Sequence, residues 1–213
     1  MNEQLPPLNE NLPDQPRRRP IGIWLLLAVG LVVVLAVRWF RPPEAGRDGA
    51  AHPAVGRQVT FVSLKPLTGK ADDVSLEDLQ GKVTLINYWG PWCGPCRIEF
   101  PHLYELRQSF RQQAAAQVIS VSCSRNEGAE DNSPEDVRAT QEFLREQNAD
   151  MPTYYDPFYK SRRQLVETAG LEAFSYPTTV ILDGSGTIRG LWQGYVPGDE
   201  LAMHRLVKEL VEE

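Results

Sequence analysis

A chain of 213 residues with a net charge of −6 has room for one ordinary domain plus extensions, and lacks the positive surface of a nucleic-acid platform. Its three cysteines are too few for a disulfide scaffold, and the odd count leaves one thiol over. The domain therefore has to bury a hydrophobic core of its own.

Residues 1–20 are polar and proline-rich without periodicity, the composition of a disordered tail. Ile21 to Val37 follows as 17 residues without a charge, at the lower end of the roughly 17–25 that cross a bilayer as a helix. Trp24, Trp39 and Phe40 suit the interfaces and Arg38 can snorkel, which predicts a transmembrane anchor over 21–40. A cleaved signal peptide is the competing reading. It fits poorly, because Arg38-Trp39-Phe40-Arg41-Pro42-Pro43 is a poor cleavage site and the preceding tail is long, with Glu3, Glu10 and Asp14 in it. Arg17, Arg18 and Arg19 oppose Arg38, Arg41 and Arg47 across the span. The denser N-terminal cluster favours a cytoplasmic tail and a domain on the extracytoplasmic, periplasmic side. Residues 41–56, rich in proline, glycine and alanine, read as a linker, and 57–213 as the folded domain.

Within that domain, Val59 to Leu64 is a short extended segment. Ser75-Leu76-Glu77-Asp78 resembles a capping box, with aspartate in place of glutamate, and should start a short helical turn. Val83 to Trp89 is apolar enough for a buried central strand. Ile98, Leu103, Leu106 and Phe110 lie near helical spacing and are expected to face a sheet, with Pro101 kinking their helix. Gln117 to Ser122 is the next strand, and Ser133-Pro134-Glu135-Asp136 caps a further helix. Another helix is expected over Phe158 to Thr168, stopped by Gly170. Thr178 to Leu182 and Thr187 to Trp192 read as an antiparallel hairpin around Asp183-Gly184-Ser185-Gly186. Leu201, Leu206, Val207 and Leu210 form one face of a final helix. This order predicts an α/β fold: a mixed central sheet flanked by helices on both faces.

The chemistry lies between the central strand and the helix after it, in Trp92-Cys93-Gly94-Pro95-Cys96. Two cysteines with two residues between them form a dithiol that can close and reopen. A helix N-terminus offers unpaired N–H groups and about half a positive charge, which favours a thiolate on the first cysteine. A structural zinc site would need a second ligand pair, and only Cys123, His52, His102 and His204 remain. Cys93 is expected to attack from an exposed helix start, and Cys96, one turn in and more shielded, to resolve the mixed disulfide. Gly94 should relax the turn, and Pro95 fix φ at the helix entrance. Cys123, at the end of a strand, reads as a buried bystander.

The segment resembles the active site of the thioredoxin superfamily, and its surroundings resemble the membrane-anchored TlpA/ResA-like thiol–disulfide oxidoreductases. The resemblance runs from about Val55 to the C-terminus. It rests on Gly81-Lys82-Val83, the Trp-Cys-Gly-Pro-Cys turn, Pro101, Tyr176-Pro177-Thr178 and Leu182-Asp183-Gly184, in that order. It implies a thioredoxin-like fold and a cis bond before Pro177. It also implies a role for Tyr176 and Pro177 in seating an extended substrate beside the cysteines. Trp92 would shield the pair and pack on the substrate, while Trp89 belongs to the core. The Gly-Pro dipeptide matches reducing thioredoxins and favours reductase over oxidase.

Asn87 departs from cytosolic thioredoxin, which carries a buried aspartate there, so it cannot accept a proton from Cys96 as a carboxylate would. Glu99, three residues beyond Cys96, reads first as a solvated surface acid, with proton transfer to the pair as its alternative role. No cofactor or metal is expected, since the two cysteines carry the electrons themselves. The partners implied are protein disulfides or dithiols, apocytochrome c among them, and a membrane protein that supplies electrons. A peroxiredoxin shares the fold but normally carries Pro-x-x-x-Thr-x-x-Cys, absent here. A copper-binding assembly factor would resemble Cys-x-x-x-Cys with a distal histidine.

Overall fold

The computed structural model describes residues 27, 29–32, 46–125 and 131–213. Residues 29–32 are helical, and among the described residues no helix is long and apolar enough to cross a membrane. The expected tail, and most of the expected anchor over 21–40, lie outside the described residues.

Seven strands form one mixed sheet in the order β2-β1-β5-β4-β3-β6-β7. They are β1 (Ser63–Thr68), β2 (Val74–Ser75), β3 (Val83–Trp89), β4 (Ala116–Ser122), β5 (Thr153–Tyr155), β6 (Thr178–Leu182) and β7 (Ile188–Gln193). Among the described residues four α-helices cover it: α1 (Gly94–Phe110), α2 (Pro134–Glu146), α3 (Lys160–Ala169) and α4 (Asp199–Glu212). Strand β3 runs parallel to β4 and antiparallel to β6, so it has a neighbour on each side and every one of its residues is buried. Its alternation divides the core. Val83, Leu85 and Trp89 pack with α1, α2 and α4, whereas Ile86 and Tyr88 pack with α3 and the N-terminal segment. Trp89, Phe100 and Phe143 close a three-ring cluster with centroids 4.7–5.0 Å apart, tying β3 to α1 and α2.

Local chemistry explains most boundaries. Ser133 caps α2 by accepting from Asp136 N–H at 3.1 Å, with Pro134 at the first helical position. Gly170 ends α3 in the left-handed region at φ 65°, where a β-carbon would be strained. Ser75 donates to the Asp78 carboxylate from its N–H and its hydroxyl, at 2.8 and 2.7 Å, ahead of a single 3₁₀ turn.

Three expectations change. The buried stripe of α1, which runs on past Pro101, is Cys96, Glu99, Phe100, Leu103, Leu106 and Phe110. Ile98 is off that stripe and 62 % exposed; a residue two places after Cys96 points about 200° away from it. In α4 the core positions are Met203, Val207 and Leu210, and Leu201 faces outward. The expected linker is not free from Gly46 onward. Arg47 reaches Asp199, which is fully buried, with its N–H at 2.7 Å and its guanidinium at 2.6 and 3.2 Å. Gly49 lies so close to Trp192 that a β-carbon would come within 2.2 Å of the indole, and Ala54 is buried in the core.

Candidate active site

The C-terminal end of β3 delivers Gly90-Pro91-Trp92 into the start of α1, and there Cys93 and Cys96 form a disulfide. Cys93 is the N-cap of α1 in an extended conformation (φ −92°, ψ 115°), and its Sγ accepts from the Cys96 N–H at 3.2 Å. The sulfur thus occupies the capping position otherwise taken by a serine or aspartate oxygen, where a negative charge is favoured. Cys96 is wholly inaccessible, and Cys93 retains only 5 % exposure. The first cysteine is therefore less open than the sequence led us to expect. Gly94 and Pro95 form the exposed lip of the turn. A β-carbon on Gly94 would meet nothing within 4 Å, so the turn itself does not require glycine there. Gly90 is different: a β-carbon would sit 2.4 Å from Trp92 Nε1. That close approach lets Trp92 fold back and donate to the Cys123 carbonyl at 2.8 Å.

Glu99 corrects the sequence reading. It is not a solvated surface acid but is 2 % exposed, on the same stripe of α1 as Cys96. Asn87 Nδ2 donates to Glu99 Oε2 at 2.8 Å and to Thr179 Oγ1 at 2.8 Å, and Thr179 donates to Glu99 Oε1 at 3.3 Å. Burial raises the Glu99 carboxyl to about 7; the bonds from Asn87 and Thr179 pull the other way, and the nearby Asp199 charge adds to the rise. A buried group titrating near neutrality beside a dithiol has the properties required for proton exchange. The signal was legible in the spacing. Position 99 follows Cys96 by three and precedes Leu103 by four, which places it on the core face.

On the other side of the turn the Tyr176–Pro177 bond is cis, as the resemblance implied. The Tyr176 ring meets Trp92 edge-on at 5.3 Å and Phe174 at 5.4 Å. Its hydroxyl accepts from Arg162 at 2.6 Å. Arg162 is itself buried, at 3 % exposure, between Asp131 and Asp156, neither of which is accessible. Sequence reading passed over Arg162, Asp131 and Asp156 because charged residues at scattered positions look like surface. Cys123 is buried behind Tyr176, and burial pushes its thiol well above the ordinary cysteine range, which disfavours the thiolate. Trp89 is fully buried and donates to Ser120 Oγ at 2.7 Å. Among the described residues no group of three or more His, Cys, Asp or Glu could hold a metal ion.

A disulfide closed across the first turn of the helix that follows the central strand, beside a cis-proline loop, defines a thiol–disulfide oxidoreductase on a thioredoxin-like fold. The chain belongs to the AhpC/TSA family, which matches residues 55–191. It is similar to thioredoxin-like protein YneN of Bacillus subtilis, at 29 % identity over 84 % of this chain and 92 % of that protein. It is also similar to thiol-disulfide oxidoreductase ResA of the same organism, at 27 % identity over 80 % of each chain. Among solved structures, a DsbF homologue from Corynebacterium diphtheriae matches with a TM-score of 0.54 and 27 % identity, over 72 % of this chain and 86 % of that one.

Proposed function

We propose that this protein is a membrane-anchored, extracytoplasmic reductase of protein disulfides, in which Cys93 attacks, Cys96 resolves and Glu99 exchanges the proton. The observation that carries it is the Cys93–Cys96 disulfide capping α1, with a buried acid titrating near neutrality on the same helix face. In the reduced enzyme the Cys93 thiolate attacks one sulfur of a substrate disulfide, forms a mixed disulfide and expels the other sulfur as thiolate. Cys96 gives up its proton and attacks Cys93 Sγ. The second substrate thiol leaves, and the pair ends as the disulfide seen here. Two electrons pass from the pair to the substrate, and an extended substrate strand lies along the Tyr176–Pro177 backbone beside Trp92.

The Gly-Pro dipeptide supports the reducing direction. An equilibrium measurement of the Cys93–Cys96 couple tests it: we expect a value close to thioredoxin's, about −270 mV, and a value close to the about −120 mV of a strong oxidant would overturn the direction. In an oxidising compartment such a couple needs electrons from a membrane donor. Apocytochrome c, whose haem-binding cysteines must be reduced, is a fitting substrate. The anchor at 21–40 and the arginines before it support the extracytoplasmic placement. Protease added to intact spheroplasts should remove the cysteine domain and leave the N-terminal fragment with the membrane. A fully protected domain, or a soluble mature form, would refute that topology.

A further inference from the structure

Behind Tyr176 stands a side chain outside the cysteine motif. Arg162 lies in α3 with every part of its guanidinium engaged. Nε donates to Asp156 Oδ2 at 3.1 Å, one terminal nitrogen is paired with Asp131, and the other donates to the Tyr176 hydroxyl at 2.6 Å. The face of the group lies over the Tyr159 ring at 4.1 Å. The two carboxylates are pinned in turn: Asp131 accepts from Ser124 N–H at 2.8 Å, and Asp156 from the N–H groups of Ser161 and Arg162 at 2.9 Å each. A cation so enclosed has no freedom, and a group bonded to it shares that rigidity.

Tyr176 needs such a constraint. It borders an open cavity of about 330 Å³, lined also by Tyr159, Arg162, Arg163, Val166, Ala173 and Phe174. Trp92 and Phe174 pack against its ring. The bond from Arg162 anchors its hydroxyl end, while the ring forms a T-shaped pair with Trp92. Two residues just before α3, Phe158 and Tyr159, hold left-handed backbone at φ 56° and 57°. That region is strained for bulky side chains, and here it accompanies the placement of Tyr159 over Arg162.

We propose that Arg162 is a positioning residue for disulfide exchange: through Tyr176 it fixes the Trp92–Tyr176 wall against which a polypeptide substrate must lie, and so sets preference for protein disulfides over small ones. The proposal rests on the reading of Cys93–Cys96 as the exchange site with Tyr176 on its platform. A small disulfide needs only access to Cys93 Sγ. A polypeptide must also fit the wall, so loosening the wall weakens its binding more than it slows the chemistry.

The test follows single turnovers of the reduced protein, which give up two electrons each, at varied concentrations of insulin as the protein disulfide or 5,5′-dithiobis(2-nitrobenzoate) as the small one. Tyr176→Phe removes only the hydroxyl that Arg162 holds. It should raise the half-saturating concentration of insulin at least roughly ten-fold more than that of the small disulfide, the lower end of the range expected for losing a hydrogen bond to a charged group. Arg162→Met should do the same, and the double variant should be no worse than either single one, because both act on one contact. Additive defects, or equal changes for both disulfides, would show that Arg162 acts on stability or chemistry generally and would overturn the proposal. Arg162→Met strands two buried carboxylates; if it does not fold, Tyr176→Phe alone decides, and an unchanged ratio refutes. A parent inert toward both disulfides would overturn the reading of the exchange site, and this proposal with it.

Discussion

Cys96→Ser is expected to accumulate as a covalent adduct with its substrates, and Cys93→Ser to capture almost none. The asymmetry follows from position. Cys93 Sγ caps α1 and keeps a small opening to solvent, while Cys96 has none. A Cys93 thiolate that attacks a substrate disulfide forms a mixed disulfide that only Cys96 can release. With serine at 96 the reaction stops halfway, and non-reducing gels of membrane extracts should show discrete high-mass bands that collapse on reduction. With serine at 93 the remaining thiol lies behind the turn, and a protein disulfide cannot reach it. Turnover should fall to background in both variants, so the adducts and not the rates separate the roles. Equal trapping by the two, or stronger trapping by Cys93→Ser, would reverse the assignment. Mass spectrometry of the adducts would name the partners and test apocytochrome c directly.

Glu99→Gln is expected to slow insulin reduction by roughly ten- to hundred-fold at neutral pH, at or below the lower end of general acid–base effects. It should also abolish an inflection near pH 7 in the rate. Glutamine keeps the size of the side chain and an acceptor for Asn87, but it carries no proton to exchange. The same substitution has an opposite signature in stability. Burial raises Glu99 from 4.5 to about 7 in the fold, so the folded state binds the proton more tightly than the unfolded one. Stability from that proton is complete below about 4.5 and is lost as pH rises through about 7. The whole window corresponds to about 3 kcal/mol. Urea denaturation at pH 5 and pH 8 should therefore show the parent losing stability relative to Glu99→Gln as pH rises. Parallel stability at both pH values would mean that Glu99 titrates in the ordinary carboxylate range. An unchanged rate profile would remove it from proton exchange.

The elements that the sequence announced clearly are those where one local rule dominates. The uniformly apolar β3, the Ser133-Pro134 entry to α2, the Gly170 stop and the β6–β7 hairpin all fall close to their expected places. Strands β2 and β5 were not anticipated. They have two and three residues, β2 at the sheet edge and β5 between β1 and β4, too short for alternation to register. The apolar residues from Val59 look like a strand, but they fill the core ahead of β1, which begins at Ser63. In the site, Cys93, Cys96, Trp92, Tyr176 and Pro177 were visible as motif residues. Glu99 is legible too, through its helical phase and not its charge. Arg162, Asp131 and Asp156 come from three separate segments, and only the fold brings them together. Arg47 was hidden inside a composition that resembles a linker.

The empty space beyond Gly94 separates two things that proteins usually have to adjust together. Because a side chain there would strike nothing, that residue can change without disturbing the core beneath it. It is also the first residue of α1, one bond from Cys93, where an added charge acts directly on the sulfur that caps the helix. A carboxylate at position 94 would disfavour the thiolate and an ammonium would favour it, each altering how readily the pair holds or yields its electrons. The domain thus carries an external tuning screw: selection, or an experimenter, can move its chemistry along the redox scale while the folding problem stays solved.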